Sequence, residues 1–86
     1  MILSEHLKNE ILSKRPYIKI EWIERILKNP YHAEVQEDGN HKIWGFIEEM
    51  NKFFRVVASP DRTFIITVFP DRNFTEKEMK NENKIL

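Results

Sequence analysis

Residues 41–69 constrain this chain more than any other stretch. They hold three short apolar and aromatic runs separated by turn signals: His41-Lys-Ile-Trp-Gly-Phe-Ile47, Phe53-Phe-Arg-Val-Val-Ala58 and Thr63-Phe-Ile-Ile-Thr-Val-Phe69. Runs of this length, rich in β-branched and aromatic residues, read as strands. They predict strands over His41–Glu48, Lys52–Ala58 and Thr63–Phe69, joined through Met50-Asn51 and Ser59-Pro60-Asp61-Arg62. A more polar first strand over residues 31–37 precedes them. Asp38-Gly39 joins the two as a hairpin, because the turn needs positive φ and glycine supplies it.

Alternation divides this sheet into two faces. Trp44, Phe46, Arg55 and Val57 fall on one, near Phe64 and Ile66. Ile43, Gly45, Ile47, Phe54, Val56, Ile65, Thr67 and Phe69 fall on the other. Both faces are apolar, so each needs cover. The N-terminal third supplies part of it. Leu3, Leu7 and Ile11 recur at helical spacing and predict a helix over residues 3–14, with Ser4 as a cap and Pro16 ending it. Ile18, Trp22 and Ile26, widened by Ile23 and Leu27, predict a second helix from about Tyr17 to Lys28, stopped by Asn29-Pro30. Glu21 and Arg25, four apart, read as an ion pair on it. Thr75 and Glu78 have capping-box spacing and predict a short C-terminal helix or tail over about 74–86. The expected architecture is a single α+β domain over residues 1–86. Two N-terminal helices pack on a four-stranded antiparallel β-meander, and the short C-terminal helix is peripheral.

The chain is 86 residues long and charge-balanced, with 14 basic and 14 acidic residues. That balance argues against a nonspecific nucleic-acid binder, which is usually basic. The chain has no cysteine, so packing alone must hold a core of this size. Self-association as a homodimer, or a protein partner, would help. No apolar run approaches the ~20 residues of a membrane span, and no signal peptide is visible. The expectation is a cytoplasmic protein with no membrane contact.

The candidates for chemistry are few. Arg55 lies among apolar strand residues. Its stem packs on aromatics with its head in water or on a carboxylate, or its planar fork binds phosphate. Arg25 is a second candidate phosphate-binding cation. Asp71-Arg72, just past the last strand, reads as an exposed ion pair or as part of a site at the strand end. His6, His32 and His41 show no metal-ligand spacing, so no metal is expected. With only Gly39 and Gly45 as glycines, there is no phosphate loop and no cofactor is expected.

Trp22-Ile-Glu-Arg25, Asn29-Pro30, Arg55-Val-Val57 and Ile66-Thr-Val-Phe69 occur in this order within residues 15–72. In that order and in the two-helix-then-meander layout, the chain resembles uncharacterised small prokaryotic members of the RelE/barnase-like toxin superfamily. The resemblance implies a metal-independent ribonuclease of a toxin–antitoxin pair, with RNA as substrate and an antitoxin protein as partner. In that scheme Arg55 binds phosphate, Arg72 assists and His41 is the acid or base. The competing expectation is a non-catalytic protein-interaction module that pairs through an apolar sheet face or a sheet edge.

Overall fold

The computed structural model describes residues 1–74. Its elements are β1 (Ile2–Leu3), α1 (Glu5–Ser13), α2 (Ile20–Lys28), β2 (His32–Val35), β3 (His41–Ile47), β4 (Lys52–Ala58) and β5 (Phe64–Pro70). The five strands form one sheet in the order β1-β5-β4-β3-β2. β2 to β5 are the expected antiparallel meander. The four-stranded, wholly antiparallel sheet is nevertheless corrected, because β1 adds a fifth strand parallel to β5.

The physical reason lies at Ser4. Its extended backbone (φ −65°, ψ 157°) makes it the N-cap of α1, and its hydroxyl accepts a hydrogen bond from the Leu7 N–H at 3.0 Å. A residue held in that conformation ends the helix, so Leu3 cannot belong to α1. Ile2 and Ser4 instead donate backbone N–H groups to the carbonyls of Thr63 and Ile65, at 2.7 and 2.9 Å. Two residues are too few to leave a periodic signal, and their pairing is with residues sixty positions away.

The Ser4 hydroxyl also donates to the Ile66 carbonyl at 2.7 Å. Ile66 is where β5 breaks register with β4. Val57 pairs with Thr67, but Ala58 pairs with Ile65, leaving one residue extra. This bulge corrects the expected faces. Val68, buried at 2% exposure, joins the core, while Phe69 pairs with Arg55 and lies on its face. One inserted residue inverts all positions after it.

α2 starts later than expected, at Ile20 rather than near Tyr17. The backbone turns first, with Ile18 N–H donating to the Arg15 carbonyl. Ile18 still reaches the core. That core fills the space between the sheet and the helices. Ile43, Ile47, Phe54, Val56, Ala58, Ile65 and Val68 meet Leu7 of α1 and Trp22, Ile23 and Ile26 of α2. Trp22 packs edge-on against Phe54, with ring centroids 5.9 Å apart.

β3 turns into β4 through Asn51 in the left-handed region (φ 54°), and Gly39 closes the β2–β3 hairpin at φ 90°. Past β5, residues 72–74 are helical. Asp71 caps them by accepting the Phe74 N–H at 3.3 Å, so the helix begins earlier than Thr75. The expected capping box of Thr75 and Glu78 lies outside the described residues.

Gly45 fixes how closely α2 approaches the sheet. A Cβ at this position would lie 2.7 Å from Ile26 Cγ1 and 3.1 Å from Ile26 Cβ. A β-branched side chain on a helix has one favoured χ1 and cannot swing away. Gly45→Ala is therefore expected to lower stability by about 1–3 kcal/mol through overpacking. Adding Ile26→Ala should make the double mutant's loss smaller than the sum of the single losses. Urea denaturation of the four proteins checks the cycle, and strict additivity would refute the contact.

Candidate functional site

The sheet face away from the helices carries a second, aromatic cluster of Trp44, Phe53 and Phe74. Trp44 and Phe53 point there from β3 and β4, and Phe74 closes over them from the turn after β5. The Phe74 and Trp44 rings stack at 4.8 Å and 12°. Phe53 and Tyr31 meet Phe74 edge-on, and His32 lies 5.4 Å from Trp44. Trp44 and Phe53 are 4% and 7% exposed, so Phe74 covers this end of the face within the chain itself.

Asp71 organises the cluster. Its backbone N–H donates to the Phe53 carbonyl at 2.9 Å. One carboxylate oxygen accepts the Trp44 indole N–H at 3.0 Å, and the other accepts the Phe74 N–H. Arg55 Nε approaches the first oxygen at 3.8 Å, too far for a hydrogen bond, and is buried without another acceptor. The guanidinium carbon sits 4.4 Å from the Phe69 ring centroid and 6.0 Å from that of Trp44. Arg55 is thus an aromatic-packed cation with a carboxylate beside it. Phosphate binding there would have to compete with Asp71. Asp71 turns inward to these partners, which corrects its reading as the exposed partner of Arg72.

Arg55, Arg25 and His41 do not converge. His41 pairs with Ala58 three positions along the ladder from the Trp44–Arg55 pair, roughly 10 Å at the strand rise. Its parity puts it on the opposite face from Arg55. Its Nδ1 accepts a hydrogen bond from Arg62 Nε at 3.1 Å. Arg72 follows Asp71 and is exposed. Arg25 lies on α2, behind the sheet, and forms a two-pronged pair with Glu49 at 2.8 and 3.0 Å. The pair links α2 to the β3–β4 turn and replaces the expected Glu21–Arg25 pair. Among the described residues no three His, Cys, Asp or Glu side chains are placed to hold a metal ion. No helix there is long and apolar enough to cross a membrane.

A different surface emerges at β2. Among the described residues this strand has a neighbour on one side only. Gln36 donates its N–H to the Asn40 carbonyl at 2.7 Å. Alternation then turns the backbone groups of His32 and Glu34 towards β3, and those of Ala33 and Val35 outward. Ala33, Glu34 and Val35 are exposed, Val35 at 68%. Beside the edge, Glu34, Val35, Gln36, Glu37, Asp38 and Lys42 line a shallow open hollow. Sequence reading found the hairpin through Asp38-Gly39. It did not single out this edge, since strand order across a sheet is not written in local periodicity.

Comparison with models of known protein families, with curated proteins and with solved structures finds no match to this chain.

Two outcomes test this geometry. Asp71→Ala strands Arg55 without its carboxylate and Trp44 without its acceptor. It should cost about 2–3 kcal/mol and speed exchange of the Trp44 indole proton. Asp71→Asn, whose amide oxygen still accepts, should slow that exchange again. At the other pair, Arg25 holds the Glu49 carboxyl at about 2, against an ordinary 4.5, chiefly by the hydrogen bonds it donates. The depressed value means the pair stabilises fully above the ordinary value and loses its effect as pH falls through about 2. In a carboxyl titration followed by NMR, Arg25→Gln should raise the Glu49 midpoint towards its ordinary value. The variant should also lack the stability loss that the wild type shows in acid unfolding as pH falls through that window.

Proposed function

We propose that this domain is a non-catalytic protein-interaction module that recruits its partner by extending the sheet at β2. One observation carries the reading. β2 presents outward-facing backbone donors and acceptors at Ala33 and Val35, on a strand open on one side among the described residues. An open edge of this kind is a template for an extended segment, which gains main-chain hydrogen bonds there. The separation of Arg55 from His41 and Arg25 supports the same reading, because a phosphate held by Arg55 would need its proton-transfer group around the same phosphate. The absence of cysteine suits a cytoplasmic setting.

Peptides selected from a random library against the immobilised domain test this, alongside RNA incubated with the purified protein. Ala33→Pro removes one outward N–H from an edge position where proline is tolerated. It should weaken the selected peptides about tenfold or more, a loss of roughly 1.4 kcal/mol, whereas Arg72→Ala should leave them unchanged. Peptide binding indifferent to Ala33→Pro overturns the edge reading. RNA cleavage by the wild type, lost in Arg72→Ala or His41→Ala, establishes the toxin-like ribonuclease instead.

A further inference from the structure

The β2 edge carries a charge pattern as well as backbone groups that no strand pairs among the described residues. Glu34, Glu37 and Asp38 set three acids against the one cation, Lys42, around the hollow beside the edge. Glu34 sits between Ala33 and Val35, the two outward-bonding residues. It therefore occupies a position where a neighbouring strand's residue would be in the close, non-hydrogen-bonded register, with Cα atoms about 4.5 Å apart. A residue opposite Glu34 on an added strand meets its carboxylate at short range.

This decides between candidate occupants. Antiparallel pairing of β2 with a second copy, using both outward residues, sets Ala33 against Val35 and Glu34 against its own copy. Two like charges directly opposite are destabilising. A different segment avoids the clash if it carries a cation there. Ala33 and Val35 share the other face of the strand, and Val35 is 68% exposed. The residues that flank the cation on an added strand would lie beside these two side chains, and burial favours apolar ones.

Resting on the edge-recruitment reading above, we propose that the partner contributes an extended basic segment of alternating pattern, apolar–Lys/Arg–apolar. It pairs with β2 so that the basic residue faces Glu34 and its neighbours pack beside Ala33 and Val35. Specificity comes from the acid rim, and affinity from the backbone bonds of Ala33 and Val35.

Two synthetic peptides probe this in the full chain: Thr-Val-Lys-Val-Lys-Val-Thr, and the same sequence with glutamate for lysine. Amide exchange at Ala33 and Val35 and NMR titration report binding. The lysine peptide is expected to slow exchange at both amides and to bind about five- to tenfold better than the glutamate peptide. Its binding should weaken as salt rises. Glu34→Lys should reverse the preference. If both peptides protect the two amides equally and Glu34→Lys changes nothing, the basic partner is overturned while edge recruitment stands. If neither peptide protects those amides, both proposals fall. Protection already present without peptide overturns both as well. In a monomer it means the chain's own segment holds the edge, and in a dimer a second copy holds it.

Discussion

The contact of Gly45 with Ile26 sets the geometry on which the rest of the molecule depends. Glycine removes the one Cβ on the helix-side face of β3 that would hold α2 away from the sheet. The helix can then press Ile23 and Ile26 to near-zero exposure against Ile43, Ile47 and Phe54. In a domain this small the core has little surplus, because much of the chain's surface stays in water. A helix held farther out would thin the contacts of every residue between the layers, since dispersion falls off steeply with a sub-ångström gap. The Arg25–Glu49 pair lies at the rim of the same interface. Exposed as it is, it orients α2 on the β3–β4 turn more than it stabilises it.

The opposite face is solved by different chemistry. Among the described residues neither α1 nor α2 lies on it. Instead one aromatic ring, Phe74, is brought down on Trp44 by a helical turn that Asp71 caps. The same carboxylate accepts the hydrogen bond of the Trp44 indole N–H and lies beside Arg55 as its countercharge. A cation among strand aromatics is expensive unless a countercharge lies beside it. Asp71 supplies that countercharge from outside the sheet, which is why Arg55 serves packing and charge balance here. What this face does not leave open, the β2 edge does. Among the described residues β2 has a neighbouring strand on one side only, and acidic side chains line the hollow beside it.

Much of the fold was legible because local rules were obeyed. Asp38-Gly39, Ser59-Pro60-Asp61-Arg62 and the strand composition between them placed four strands. The Ile18, Trp22, Ile26 stripe placed α2, and Ser4 was recognisable as a cap. Three features were not legible, each for one reason: a contact between residues far apart in sequence. β1 is defined by Ile2 and Ser4 bonding to β5. The bulge at Ile66, fastened by the Ser4 hydroxyl, moved Val68 into the core and Phe69 out of it. Asp71 looked like a partner for its neighbour Arg72 until the turn after β5 aimed it at Trp44.

The sequence by itself determined an α+β domain with an aromatic antiparallel meander, its turns and the apolar stripe of α2. Turn chemistry and side-chain periodicity act over a few residues, so they survive without tertiary context. Only the tertiary structure decided which candidate side chains share a face, what neutralises Arg55, and that β2 lies at the end of the sheet among the described residues. Those depend on strand order and on a single-residue register shift, where one inserted position reverses every side chain beyond it.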